Sequence, residues 1–477
     1  MNEPRVTLRW LADVVGGRIR SGHQDWEIGS VVADTRTLQP GDFFVALRGV
    51  RFDAHNFIGE AVARGAMGAL VQTGHPGAAD EAAFRSGVAG WPDAACVEVA
   101  DTTRALQDLA RAVRRASGAR VIAITGSAGK TTTKEAVSEM LAARFRVVKN
   151  RGNLNNHIGL PLSLLQLRGR PDVAVVELGM NHAGEISALV AIAEPEVRVW
   201  TNVGDAHLGF FESANAIADA KAEILERAGV GDVLVCNADD PRVMSRTRGF
   251  PGRTLTFGTA PGATVRAHDV ENRGVNGMRA RVTTPVGWRW METRLLGRGN
   301  LANILAATAV ALDFGVALEE IAATAERLRP GDRRGAVRRL RGGIVLIDDS
   351  YNSSPAALRG ALDVVASESR VPRKVAVLGE MLELGERSLT LHRECGQAAA
   401  AAGLRLLFAV GGPPARALAD AAVTAGMPAS AVAYVESSES AKPLVAAAVR
   451  AGDLVLVKGS RGTRTDLVAD HIAVEFA

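Results

Sequence analysis

The chain has 477 residues, more than one compact core organises, and at roughly 100–200 residues per domain it predicts about three domains. Apolar residues make up 47% and charged residues 23%, which excludes a chain too polar to fold; no apolar run reaches the roughly 18–20 residues of a membrane-spanning helix. The net charge of +4 comes from arginines interspersed with acids, so no nucleic-acid partner is expected, and the widely spaced Cys96, Cys236 and Cys395 form neither a disulfide framework nor a zinc motif.

Residues 1–100 predict short strands between turns, at 29–33, 43–47, 69–72 and 95–99, with a helix over 56–66 and a surface loop over 74–90. Asp101 caps a helix whose apolar stripe is Ala105, Leu109, Ala112 and Val113. A buried strand at 121–125, a glycine loop and a helix over 132–143 follow. Strands at 173–178, 197–203 and 232–237 then alternate with helices at 184–193 and 214–228, the pattern of a parallel sheet with crossover helices. Residues 254–294 read as antiparallel strands attached to that sheet. After a helix over 300–314 and an Arg/Pro/Gly-rich linker at 327–335, strands at 344–347, 374–378, 404–410 and 454–457 form a second alternating series. The expected fold class is α/β in three domains: a mixed α/β domain at 1–105, a central P-loop parallel-sheet domain at 106–328 and a Rossmann-like domain at 329–477.

The strongest motif runs from Thr125 to Thr133 between the apolar strand and its helix. Within Gly126-Ser127-Ala128-Gly129 the two glycines let the backbone turn tightly and approach phosphates, Lys130 supplies a full charge, and the Thr131 hydroxyl, next to Thr132, can ligate Mg²⁺. Ile124 stands where the general P-loop has its first glycine. Glu177 ends a strand, where a carboxylate either holds Mg²⁺ or makes an ordinary cap or surface pair. His207 lies in a loop beyond the strand at 197–203, as a ligand or as a plain polar residue. By itself Lys221, between Asp219 and Glu223 on a helix, reads as part of a solvated face. The amide-rich stretch 150–159, with Asn153, Asn155 and Asn156, suits a polar ligand or a turn-rich loop. Asp349 and Asn352 close the strand at 344–347, and Lys458, Ser460 and Arg461 close the strand at 454–457, either as sites or as surface turns.

In order along the chain, TGSAGKTTTKE, NLNNHIGLPLSLL, ELGMNHAGEI, NVGDAHLGFF, AKAEIL, NADD, DDSYN, VLGEMLELG and KGSRG resemble the Mur ligase family of peptidoglycan synthesis. The resemblance runs from about Asp34 to Gly462. It implies an ATP-dependent ligase that activates a carboxylate as an acyl phosphate and joins it to an amine. The first domain, with Asp34-Thr35-Arg36, GDFFVALRG including Arg48, and Arg51 to His55, resembles the UDP-binding domain of the subfamily that adds D-alanyl-D-alanine to a UDP-linked muramoyl tripeptide. By the same resemblance, Asp34, Thr35, Arg36, Arg48, Asn153, Asn155 and Asn156 bind the UDP substrate. Gly126 to Thr132, Asn303, Arg334 and Asp349 bind ATP, and Asn352, Lys458, Ser460 and Arg461 bind the dipeptide. Lys130, Glu177, His207 and Lys221 are the implied catalytic set. Thr131, Glu177, His207 and Lys221 would serve two Mg²⁺ sites, Lys221 as a carbamate. Ala128, Gly299 and Ser353-Ser354 depart from the family pattern, where Asn, His and Ala-Asn are usual. The start, MNEPRVTLRW, has no apolar core of a secretory signal, and a monomeric cytoplasmic enzyme is expected.

Overall fold

The computed structural model describes residues 6–49, 52–75, 94–205 and 208–477. Its strands form three sheets in a mixed α/β fold. The chain divides into two compact units, one made of residues 1–123, 145–180 and 185–196, the other of 124–144, 181–184 and 197–477.

The first unit opens with a helix, Leu8–Val15, that the sequence reading lacks. The Thr7 hydroxyl accepts the Trp10 N–H, and Gly16, at φ 60°, ends the helix in the left-handed conformation. Strands β1 (Arg18–Ser21), β2 (Val31–Val32), β3 (Phe43–Val45), β4 (Gly68–Gln72) and β5 (Ala95–Val99) lie in the order β1-β5-β4-β3-β2, all parallel except β1 against β5. Phe44, Ile58, Val62 and Val71 pack in its core. The helix expected over 56–66 is two pieces, a 3₁₀ turn Ala54–Phe57 and an α-helix Ile58–Ala63. Asp53 caps the first piece and sets its start. The loop expected at 74–90 lies, from residue 76 on, outside the described residues. Asp101 caps the helix Thr102–Ser117 as expected, accepting from the Thr103 and Arg104 N–H groups. Strand β6 (Arg120–Thr125) leaves this unit at Ala123; with β7 (Val147–Lys149) and β8 (Val173–Glu177) the order is β6-β8-β7.

The second unit carries β9 (Val197–Trp200), β10 (Val233–Asn237), β11 (Arg253–Gly258), β12 (Val265–Asn272), β13 (Met278–Thr284) and β14 (Gly287–Thr293), each beside the next. The antiparallel reading of 254–294 is corrected in part: β10, β11 and β12 pair parallel, and only β12-β13-β14 are antiparallel. The helix Pro241–Arg246 returns the chain to the start of the sheet before β11, which forces the parallel pairing, whereas Pro285-Val286 simply reverses it. The α-helix expected over 214–228 ends at Ala222 and gives way to a 3₁₀ turn, Glu223–Leu225, where the buried guanidinium of Arg198 takes the carbonyls of Ile224 and Glu226.

The same unit holds a six-stranded sheet of β15 (Ala336–Arg339), β16 (Val345–Asp349), β17 (Lys374–Gly379), β18 (Leu406–Val410), β19 (Val432–Val435) and β20 (Leu454–Lys458), ordered β15-β16-β20-β17-β18-β19. It is parallel except for β15 against β16. Leu346, Val375, Val377, Val455, Val457 and Ile472 fill its core. The register sets Asp349 opposite Lys458 at the carboxyl ends of β16 and β20, where open α/β sheets place ligand crevices. All three cysteines are buried and free. Among the described residues no helix is long and apolar enough to cross a membrane.

Candidate active site

Four residues, Gly126 to Gly129, separate β6 from the helix Lys130–Ala142. Gly126 has φ 151° and Gly129 φ 83°, and a side chain at either would collide: a Cβ would stand 1.9 Å from Thr201 Oγ1 in the first case and 2.1 Å from Asn303 Oδ1 in the second. The loop is held rigidly. The Ala128 N–H donates to Asn202 Oδ1 at 2.9 Å, and the Ala128 carbonyl accepts from the Thr201 hydroxyl at 2.7 Å and Asn202 Nδ2 at 3.0 Å. Lys130 Nζ folds back onto the Gly126 carbonyl at 2.8 Å. The N-cap is Gly129, which has no side chain to cap the helix, and the positive end of the helix dipole lies at this turn, where it favours an anion. Thr131, Thr132, Glu135, Leu295, Leu328 and Arg334 line a small pocket beside this turn.

Thr201 and Asn202, which set the loop, are absent from the sequence-derived site set. Their signal was the polar run closing β9. Asp240 belongs with them: one of its oxygens accepts the Val203 N–H at 2.7 Å, while the other caps the helix Pro241–Arg246. Asn303 sits under the loop, 6% exposed, with its amide engaged by the Thr133 hydroxyl at 3.3 Å and Asn300 at 3.1 Å.

Lys221 is 1% exposed, which corrects its reading as part of a solvated helix face. Burial, together with the charge of Lys130, holds its amine well below the usual lysine value. His207 lies outside the described residues.

In the first unit, Glu177 ends β8 at 2% exposure, and its N–H donates to Asn150 Oδ1 at 3.0 Å. Asn150 also donates to the Leu154 carbonyl and so ties the amide-rich loop to the strand end. The Asn155 side chain packs on Gly179. Asn156 caps the helix Gly159–Leu164 through Oδ1, which accepts the Ile158 and Gly159 N–H groups. Arg36 forks onto Asp34, whose carboxyl it holds down at about 2, and the Thr35 carbonyl accepts from Arg64. Arg48 remains exposed, 3.9 Å from Asp53.

Asp53, His55 and His75 cluster at metal-ligand spacing, but their hydrogen bonds account for them. The Gln72 N–H donates to His55 Nε2 at 2.9 Å, so Nδ1 carries the proton and donates to Asp53 at 2.7 Å. Both ring nitrogens are thus committed. His75 holds the other oxygen of Asp53 at 2.9 Å. Burial opposes ionisation of Asp53, yet these bonds hold its carboxyl at about 2.

In the six-stranded sheet, Lys458 Nζ donates to Asp349 at 2.6 Å and to the Asn352 carbonyl at 3.0 Å. Burial pushes the Asp349 carboxyl up despite that lysine. Arg334 stacks on Tyr351 with its guanidinium 3.9 Å from the ring centre. The Ser460 hydroxyl accepts the Leu382 N–H at 2.9 Å, and Arg461 is exposed.

A glycine phosphate loop between a buried strand and an uncapped helix, with cation-rich strand ends in a second α/β sheet, defines an enzyme class that handles nucleotide phosphates. Residues 124–311 match the Mur ligase middle domain, and residues 332–461 match the Mur ligase, glutamate ligase domain. The UDP-N-acetylmuramoyl-tripeptide–D-alanyl-D-alanine ligase of Bacillus subtilis is 32% identical over 98% of both chains. MurF from Acinetobacter baumannii superposes with a TM-score of 0.85 at 31% identity, over 98% of both chains. MurF ligase from Thermotoga maritima, solved in complex with ADP, superposes with a TM-score of 0.78 at 30% identity, over 94% of this chain and 97% of that one. The chain belongs to the Mur ligase family.

Proposed function

We propose that the chain joins D-alanyl-D-alanine to a UDP-N-acetylmuramoyl tripeptide at the expense of ATP, in the cytoplasm and as a monomer without a nucleic-acid partner. The observation that carries this is identity above 30% to such ligases over almost the whole chain, on top of a phosphate loop whose two glycines admit no side chain. The reading divides the chain into a UDP-substrate domain at 1–105, an ATP domain at 106–328 and a dipeptide domain at 329–477.

A carboxylate is a poor acyl donor because its charge is delocalised. An oxygen of the tripeptide's terminal carboxylate attacks the γ-phosphorus, the bond to ADP breaks, and an acyl phosphate forms. The dipeptide amine attacks the acyl carbon; the tetrahedral intermediate sheds phosphate, and the nitrogen loses its proton. Lys130 and the other loop residues from Gly126 to Thr132 cradle the phosphates, with Asn303, Arg334 and Asp349 completing the nucleotide site. Asp34, Thr35, Arg36, Arg48, Asn153, Asn155 and Asn156 hold the UDP substrate. Asn352, Lys458, Ser460 and Arg461 hold the dipeptide. The hydroxyl of Thr131 and the buried carboxylate of Glu177 are oxygen donors suited to Mg²⁺, with His207 toward a second ion. Bound Mg²⁺ would neutralise phosphate charge. Lys221 acts as a carbamate: burial lowers its amine toward the neutral form, which adds CO₂ and releases a proton to leave an anion of the kind Mg²⁺ favours.

ADP release followed by a coupled assay tests the reading. Full turnover requires both the UDP-tripeptide and D-alanyl-D-alanine; equal rates with either omitted would overturn it.

A further inference from the structure

The stretch Glu380–Gly385 leaves the carboxyl end of β17 and is fastened within its own lobe at each step. The Glu380 N–H donates to the Val410 carbonyl at 2.8 Å, the Met381 N–H to Nε2 of the buried His392 at 2.9 Å, and the Leu382 N–H to the Ser460 hydroxyl at 2.9 Å. Ser460 returns its own N–H to the Glu380 carbonyl at 3.2 Å. At its far end the stretch meets the segment Leu208–Phe210, which follows β9. The Gly209 N–H donates to the Glu383 carbonyl at 2.8 Å. The approach is backbone on backbone. A Cβ on Gly209 would lie 3.1 Å from that carbonyl oxygen, and one on Gly385 would lie 2.9 Å from Gly209 Cα. Glu383, at φ 65°, and Gly385, at φ 56°, both adopt the left-handed conformation to make the contact. On the other side, the Phe210 ring packs against His182, 5.5 Å between centres.

We infer that Gly209 and Gly385 form a side-chain-free latch that sets the Ser460-bearing strand ends of the last sheet against the loop following β9, and that both are positioning residues for amide-bond formation. The inference rests on the ligase reading, in which Ser460 belongs to the dipeptide site. The stretch Glu380–Gly385 is tied to Ser460 by hydrogen bonds and meets Leu208–Phe210 at one carbonyl, so a side chain at that contact presses on Ser460 and its neighbours. It leaves the phosphate loop, held separately by Thr201, Asn202 and Asn303, where it is.

The test uses the full chain with Gly209→Val, Gly385→Ala and, as a control, Gly231→Ala, where a Cβ meets nothing within 4 Å. Steady-state ADP release gives kcat and the dipeptide KM, and calorimetry with MgADP gives nucleotide affinity. Misplacing reacting groups by about an ångström costs up to about 100-fold. The expected result is a loss of kcat and a rise in dipeptide KM of about tenfold or more in both latch variants, with ADP affinity within about twofold of wild type. Gly231→Ala stays at wild-type values. If Gly209→Val does not fold, Gly385→Ala is read alone against its own melting curve. Unchanged kcat and KM in a folded latch variant would overturn the latch alone, and an equal loss of ADP affinity would make it a general scaffold defect. A wild-type chain releasing ADP without the dipeptide would overturn the ligase reading on which the latch depends.

Discussion

The amide of Asn303 occupies the space that a side chain at position 129 would need, 2.1 Å from where its Cβ would sit. The resemblance implied that Asn303 binds ATP. Its hydrogen bonds to Thr133 and Asn300 also make it a floor beneath the phosphate loop.

Gly129→Ala should therefore weaken ATP binding by at least about tenfold, since it adds both a collision and a left-handed alanine, the latter costing about 1 kcal/mol. Adding Asn303→Ala should recover part of that loss by opening the space. A double-mutant cycle on nucleotide affinity checks it; strictly additive losses would separate the two residues.

Lys130→Ala removes the charged donor of the loop. Losing one such donor to a developing oxyanion costs roughly 10²–10³ in rate. Turnover above about half of wild type would take Lys130 out of phosphate transfer.

Lys221→Ala should abolish most turnover, and acetate should restore part of it by supplying a carboxylate in the emptied space. Carbon-13 NMR with labelled bicarbonate should show a carbamate on the wild-type chain and none on the variant. Near-normal turnover without that signal would leave Lys221 a buried amine of structural use only.

His55 and His392 predict the acid side of the stability profile. Burial lowers both rings from their ordinary value of 6.5, and each accepts a backbone N–H that a protonated ring would lose. A lowered folded value means that the unfolded chain binds more protons. Stability is thus complete above about pH 6.5 and falls as pH drops through the folded values, by at most about 1.4 kcal/mol per pH unit for each ring. Urea midpoints between about pH 5 and 7 should show the slope, and His392→Gln should flatten it. A profile unchanged by the substitution would remove His392 as a contributor. Asp53 titrates far below this window, at about 2.

Local patterns carried the phosphate loop, the Asp101 cap and most buried strands, because apolar runs and capping residues act over a few positions. They placed Glu177 at the end of β8, where it lies. What they missed depends on distant partners. The helix after Ser213 was read too long because nothing nearby announces that Arg198 claims the carbonyls of Ile224 and Glu226. Lys221 looked solvated because the charges beside it in sequence are visible and the core around it is not. Thr201 and Asn202 gained their role only once β9 stood beside the loop that they fasten. The short β1 offers too few residues for an alternating pattern, and the parallel pairing of β11 followed from a crossover helix that the composition of 254–294 does not reveal.

The three cysteines lie inside the fold, with burial pushing Cys96 to about 12 and Cys236 and Cys395 to about 11. The thiolate is the reactive form, so at neutral pH these buried thiols should react only slowly with alkylating reagents. A single cysteine introduced on the exposed face would become the one addressable atom of the molecule. Conversely, alkylation of the unaltered chain reports transient opening of the three cores that hide those thiols, a clock for local unfolding that needs no added label.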